Sequence, residues 1–392
     1  MKKRKLKVKN LIALISILLI IIAIGVSFIL RNKNKEVAME PTPTPVSTPS
    51  PTPTPEPEPV VSEATLFMVG DALIHGAIYE DARTADGSYE FSQMLDAIAP
   101  IAQQYDLAYY NQETILGGSE LGISTYPMFN TPQEFGRDMI EAGFNLVSTA
   151  TNHTLDKGED GVLYSKEFWK AQEGVVEDGT NTSFEEQNDL PIHEVNGITY
   201  AFISYTYGMN GLYPPEGKEY LVNCYENHVD DLLEKVRIGK EKADVVIVAM
   251  HWGIEYMTEP SQEQMDLAQQ LADAGADIII GNHPHIIQPI QWLNDHKTIC
   301  FYALGNFISA QEGENLVGMM ASLKITKTQL GDDVTIDISD VKADLHYTYS
   351  DYYINNRVIP FSQLGDEYQG LYQSLLPIVT QMDDSIQVGG FE

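Results

Sequence analysis

Positive charge is what this chain has least of once its first 35 residues are passed. Beyond them 15 Lys and Arg stand against all 56 Asp and Glu, a formal balance of −41. Such a charge argues against nonspecific binding of nucleic acid or any other polyanion. An anionic substrate would need a local positive centre, and a bound metal ion supplies one; most of the acids themselves read as a solvated surface. Cysteine is nearly absent too. Cys224 and Cys300 stand alone, outside any Cys-x-x-Cys zinc spacing. A disulfide between them is chemically permitted outside the cell, whereas Cys300, inside the apolar run Thr298–Leu304, reads as a buried thiol; neither is assigned a catalytic role. A phosphate-binding P-loop is also missing. Gly211 to Gly217-Lys218 is one residue too long, contains Pro214-Pro215 and continues with Glu219 where Ser or Thr is needed. That argues against ATP-driven ligation, and no internal repeat suggests a solenoid.

Long hydrophobic runs are confined to one place. Met1–Asn10 carries six basic residues and no acid, and Leu11–Leu30 follows without a charge. Twenty residues at the helical rise reach about 30 Å, the thickness of a bilayer core. The run is longer than a signal-peptide core, and Phe28-Ile29-Leu30-Arg31 lacks an Ala-x-Ala-like cleavage site. The expectation is an uncleaved anchor with its N-terminus in the cytoplasm, since six positive charges precede it and three follow. A cleaved signal is the alternative. Pro41–Pro59 holds nine prolines in nineteen residues and cannot build a core; as polyproline II it would reach roughly 60 Å. The expected organisation is a basic tail (1–10), a transmembrane anchor (11–30), a Pro/Thr-rich linker (31–62), an external folded domain (63–325) and a C-terminal stretch completing it (326–392).

From Ala64 onward strand-like runs alternate with helical periodicity. Thr65–Val69, Asp106–Tyr110, Phe144–Thr149, Asp244–Met250, Asp277–Ile280 and Thr298–Leu304 read as strands. Phe91–Gln104, Pro132–Ala142, Gly161–Glu173, Asn227–Lys242 and Gln262–Ala274 read as helices. This alternation predicts an α/β layered domain with largely buried strands. Ile198–Ser204, Val317–Thr326 and Val334–Ala343 are expected to be antiparallel, and Leu371–Met382 helical.

Polar motifs sit where the apolar runs end, which in an open α/β sheet places them on one rim. Asp71 follows Gly70 and suits a metal or, alternatively, a helix N-cap; His75 would share a helical face with it if that turn is helical. Asn111 and Glu113, two apart on a strand, point into one cleft. In Asn152-His153-Thr154-Leu155-Asp156, Asn152 offers an amide oxygen to a metal, His153 a proton to a leaving oxygen, and Asp156 an acceptor that orients the imidazole. His251 is followed by Trp252, which would wall a site, and Glu255, which would accept from an imidazole. His283 and His285 flank Pro284 and reach two adjacent metals, or one binds a metal while the other hydrogen-bonds substrate; Gln288 and Asn306 extend the polar wall. Asp, Glu, Asn and His are the donors that hold one or two divalent metals near an activated water. His193, His228, His296 and His346 lack such context.

Taken together, Gly70-Asp71, Asn111-x-Glu113, Asn152-His153-x-x-Asp156-x-Gly158, His251-Trp252-Gly253-x-Glu255-Tyr256, His283-Pro284-His285 and Leu304-Gly305-Asn306-Phe307 resemble the poly-gamma-glutamate capsule synthesis family CapA, over about Ala64–Ile308. That family is in turn similar to the calcineurin-like metallophosphoesterases. The resemblance implies a four-layer α/β/β/α sandwich with two divalent metals, Mn, Zn or Fe. It implies Asp71, Glu113 and His285 on one metal, with His75 as an addition, and Glu113, Asn152, His251 and His283 on the second, with His153 as proton donor. Two departures stand out: the superfamily has Asp-x-His where this chain has its histidine four residues after Asp71, and Glu113 replaces a bridging Asp. The implied role is synthesis, export or attachment of poly-gamma-glutamate or a related envelope polymer, alongside polymer synthesis or export proteins and with an anionic polymer or phosphoester as substrate. An envelope phosphoesterase unrelated to capsule and a non-catalytic assembly protein remain the alternatives.

Overall fold

The computed structural model describes residues 22–23 and 58–391. Residues 1–56 and 57–392 form separate units, and the architecture below is that of the second. The anchor expected at 11–30 and nearly all of the linker lie outside the described residues, apart from residues 22–23. Among the described residues no helix is long and apolar enough to cross a membrane.

In chain order the strands are β1 (Val60–Ala72), β2 (Leu107–Asn111), β3 (Leu146–Ser148), β4 (Val176–Asp178), β5 (Ile192–Val195), β6 (Ile198–Thr206), β7 (Val245–His251) and β8 (Ile278–Asn282). They continue as β9 (Ile290–Leu293), β10 (Thr298–Phe301), β11 (Asn306–Ile308), β12 (Val317–Leu330), β13 (Asp333–Asp351), β14 (Ile354–Pro360) and β15 (Gln387–Val388). The first sheet runs β14-β13-β12-β1-β2-β3-β4, with β11 beside β1 and β15 beside β13. The second runs β5-β6-β7-β8-β10-β9. Strands β1 to β4 are mutually parallel, as are β6, β7, β8 and β10. These central strands are near-continuous apolar runs because both of their faces are covered.

The period of two along each strand builds the layers. Leu66, Met68 and Tyr109 of the first sheet share one core with Phe202, Ile247, Ala249 and Ile280 of the second, so the sheets face each other. The alternate residues of the first sheet, Phe67, Val69, Ala108 and Tyr110, pack outward on Leu95, Phe135, Met139 and Trp169 from the helices on that side. Ala201, Ile203, Val246 and Val248 of the second pack on Leu232, Val236, Leu267 and Leu271. The result is helix, sheet, sheet, helix. The C-terminal helix Gln369–Val379 contributes Leu375 and Val379 to the core between the sheets, so the last residues seal the sandwich.

Four expectations are corrected. Ile198–Ser204 is not antiparallel to its longer neighbour: β6 pairs in parallel with β7, Phe202 opposite Ile247, and is antiparallel only to the short edge strand β5. Its apolar continuity, a mark of a doubly covered strand, was the signal for this. The single helix over Phe91–Gln104 is two short turns, Ser92–Leu95 and Ala99–Ala102, the second opening with Pro100 at a position where its missing N–H costs nothing. Strand β1 starts at Val60, inside the stretch assigned to the linker, because Val60 and Val61 pair with Gln329 and Thr328. Residue 325 falls within β12 and marks no boundary.

One close approach fixes where β1 delivers its last residues. A Cβ on Gly70 would lie 1.8 Å from the carbonyl oxygen of Gly305, which accepts from Asp71 N–H at 2.9 Å. Gly70→Ala would force backbone apart beside Asp71, and a loss of about 3 kcal/mol or more is expected in urea unfolding. A loss under about 1 kcal/mol would mean that the two segments separate easily.

Candidate metal centre

The carboxyl ends of β1 and β2 meet those of β7 and β8, and the side chains there make direct contact across the two sheets. Asp71, fully buried, accepts from Asn111 Nδ2 at 2.8 Å and from the backbone N–H of His283 at 3.0 Å. His285 lies between the two carboxylates, with Nδ1 3.6 Å from Asp71 Oδ2 and Nε2 3.6 Å from Glu113 Oε1. Asp71, Glu113 and His285 each offer a ligand atom within 4.8 Å of the others, and so do Glu255, His283 and His285. On the other side of Glu113, His251 Nε2 is 4.0 Å from Oε1 and 3.0 Å from Asn152 Oδ1. The rings of His251 and His283 are 4.9 Å apart, and Tyr207 lies against both.

Local structure explains how the histidines are aimed. His283 and His285 have φ of 96° and 59°, the left-handed region that non-glycine residues rarely occupy. Pro284 lies between them, and its carbonyl accepts from Tyr256 N–H at 2.8 Å. Backbone strain of this kind clusters at functional sites and persists where the surroundings over-determine it. Asn306 lies 3.0 Å from His285 Nδ1 through Oδ1, and its Nδ2 donates to Asn315 O at 2.8 Å and Gln311 Oε1 at 2.9 Å.

Whether the cluster suits a cation is decided by its unpaired groups. Both carboxylate oxygens of Glu113 are buried without a hydrogen-bond partner, and so is His283 Nδ1. A buried carboxylate left unpaired costs several kcal/mol, so a sandwich that keeps one at the meeting point of four strands has a group to place against it. Hard oxygen donors and imidazoles facing a common centre fit a divalent metal.

The proton affinities follow the same geometry. Burial pushes the Glu113 carboxyl well up; His285 opposes that shift and Asp71 adds to it. Burial works against a charge on His285, yet the Glu113 and Asp71 carboxylates lift it to about 9. In the metal-free cluster a proton shared by His285 and Glu113 therefore offsets the buried carboxylates. Burial, then the neighbouring His283, hold His251 well below its usual value, and burial with His285 brings His283 down to about 3. Neutral imidazole is the form that ligates.

His153 Nδ1 and Asp156 Oδ2 are 2.7 Å apart; the same oxygen accepts from Phe129 N–H at 2.7 Å, and the Phe129 ring meets His153 edge-on at 4.7 Å. The face shared by Asp71 and His75 does not form, because Asp71 is still within β1 and the helix Gly76–Asp81 begins after His75. His75 joins neither group of ligand atoms; its Nδ1 lies 3.1 Å from Leu73 O and 3.3 Å from Ala310 N, and burial lowers it to about 4. Trp252 does not wall the site. Strand alternation turns it to the helix side, where Nε1 donates to Tyr302 O at 2.9 Å. Gln288 braces the loop after β7, donating to Met257 O at 2.8 Å and accepting from Gln264 Nε2 at 2.7 Å. Glu255, expected as an acceptor for an imidazole, stands with His283 and His285 as a candidate ligand.

A polar chain beneath the cluster escaped the sequence reading. Asn282 Nδ2 donates to the Tyr109 hydroxyl at 2.8 Å, which lies 2.7 Å from Ser148 Oγ; Ser148 donates to Asn111 Oδ1 at 2.6 Å. It ends at Asp71 and links both sheets. Asn282 was visible inside the Gly281–His285 motif, but Tyr109 in an apolar strand carries no sign that its hydroxyl is used.

The joined strand ends of this two-sheet α/β protein thus gather buried carboxylates, imidazoles and an amide oxygen, a donor set that could hold a metal ion. Residues 65–311 match the family profile described as bacterial capsule synthesis protein PGA_cap, and the chain belongs to that family. It is 32% identical over 187 residues to the PGA biosynthesis protein CapA of Bacillus subtilis, covering 46% of this chain and 47% of that one. It is 33% identical over 186 residues to the capsule biosynthesis protein CapA of Bacillus anthracis, covering 46% and 43%. The matches thus span about half the length of these relatives. A solved structure described as a novel phosphatase from Mycoplasma pneumoniae aligns with a TM-score of 0.41 at 13% identity, over 72% of this chain and 95% of that one.

Proposed function

We propose that this protein acts in the synthesis, export or attachment of an envelope polymer of the poly-gamma-glutamate class, and that its rim cluster is a dinuclear hydrolase-type centre. The names of the relatives support the first half. The second rests on one observation above others: Glu113, with both oxygens buried and unpaired, stands between His285 and His251.

In this reading Asp71, Glu113 and His285 would hold one ion, and Glu113, Asn152, His251 and His283 would hold the other, with Mn, Zn or Fe compatible with the donors. When bound, such ions supply Lewis acidity and an activated water. The chain's own residues do the rest. Asn306 fixes the His285 ring, Asn111 steadies Asp71, and Asp156 holds the Nδ1 edge of His153 so that Nε2 is left to pass a proton to a leaving oxygen. The buried walls keep bulk water from these groups. The basic tail and apolar run at 1–30 support an anchor that leaves the folded unit outside the cell.

Elemental analysis of the purified protein tests the centre. About two metal ions per chain are expected, lost in both Glu113→Ala and His251→Ala. A wild-type protein that holds no metal under metal-replete conditions would remove the hydrolase reading and leave an assembly role.

A further inference from the structure

The groups that rim the metal cluster are apolar and aromatic, not basic. Residues 122–130, 207–213 and 253–259 contain no Lys or Arg. They do carry large exposed apolar side chains: Tyr126 at 72% and Met128 at 40% on the first, Ile254 at 57%, Tyr256 at 51% and Met257 at 48% on the last. Scattered singly, exposed apolar residues mean little; gathered at one mouth they mark a binding surface.

Their position ties them to the cluster. The Tyr256 ring lies 6.0 Å from that of His285, with its φ of 65° held by the Pro284 contact. On the loop 122–130, Tyr126 lies 6.3 Å from Phe129, which packs on His153 at 4.7 Å. One tyrosine therefore borders the proposed metal ligands and the other, through Phe129, the His153 and Asp156 pair.

A long polyanion would meet Glu255 and Glu259 here with no basic side chain on these loops to follow, and only bound metal ions would attract it. We propose, on the metal-centre reading above, that this site selects a substrate whose oxyanion sits on the metal ions and whose adjoining group is apolar or planar, and that Tyr126 and Tyr256 are the specificity-determining residues that clasp it. Aromatic side chains provide large rigid contact area at little entropic cost.

Calorimetric titration of the metal-loaded full chain with phenylphosphonate and with methylphosphonate tests this, because the two share an oxyanion and differ in the adjoining group. Phenylphosphonate is expected to bind about tenfold more tightly, and the Tyr126→Ala, Tyr256→Ala double variant to bring the ratio below about twofold with methylphosphonate affinity unchanged. Tyr126→Ala alone, at a mostly exposed position, is expected to give part of the loss without disturbing the fold. A ratio near one in the wild type, with both ligands bound, would overturn the clasp and leave the metal centre intact. Binding of neither ligand would overturn the metal-anion reading and the clasp with it. A ratio near one together with binding to phosphatidylcholine vesicles that the double variant loses would assign these side chains to a membrane contact and overturn the proposal.

Discussion

Stripped of metal, the folded unit is expected to lose about 3 kcal/mol of stability between pH 6.5 and pH 9, and the metal-loaded protein to lose little or none of it. The cause is the proton on His285. Its folded value is raised to about 9 by the Glu113 and Asp71 carboxylates in spite of burial, against an unfolded value near 6.5. A raised value means that the folded state binds the proton more tightly than the unfolded state. The stabilisation is therefore complete below pH 6.5 and disappears as the pH climbs through 9. The Glu113 carboxyl, also pushed up by burial, shares this proton with His285, so the pair titrates together and does not make two independent contributions. Ions held by these carboxylates and imidazoles would take the place of the protons, so loading should release protons and flatten the curve. Urea unfolding at pH 6, 7, 8 and 9, with and without chelator, measures it. Glu113→Gln should make the chelated protein less sensitive to pH and more stable at pH 9, while failing to restore metal binding. Parallel curves with and without chelator would show that the cluster does not exchange protons for metal.

The layers of the fold were legible because buried parallel strands must be apolar on both faces, and β2, β7 and β8 are. The rim was legible for a related reason: a polar residue at the end of such a run, like Asp71 or His251, has no place in the core and is brought to the sheet edge by the strand itself. What was not legible depends on which way a side chain turns at the run's end. Trp252 follows His251 by one residue, and the alternation that aims the histidine at the cluster sends the indole to the opposite face. His75 was linked to Asp71 by a helical spacing, but Gly70 and Gly305 approach so closely that the backbone continues as strand through Ala72. Glu255 sits on an exposed loop with no periodicity, and only the turn of that loop beside Pro284 brings it to His283. Tyr109 and Ser148 act through hydroxyls between the sheets, which no spacing within one strand reveals.

Replacing His153 is expected to lower hydrolysis of an aryl phosphodiester by a factor of about 10² to 10⁴, with metal content unchanged. The imidazole contacts Asp156 through Nδ1 at 2.7 Å and is not among the grouped ligand atoms. His153→Ala should therefore leave the ions in place and remove only the proton transfer. Asp156→Asn should act through His153: the Asp156 oxygen that faces Nδ1 also takes the Phe129 N–H, and a neutral amide is a weaker acceptor for both, so the imidazole is held less firmly. Its kcat should fall with KM and metal content unchanged, whereas a purely structural role for Asp156 would lower the amount of folded protein without changing the kcat of what remains. The same pair separates the functional readings in the cell. If the protein is needed as a hydrolase, His153→Ala fails to restore polymer to a deletion strain despite normal protein and metal levels. Full restoration by His153→Ala, and by Glu113→Ala as well, would mean that the cluster is dispensable and that the chain serves polymer formation as an assembly partner.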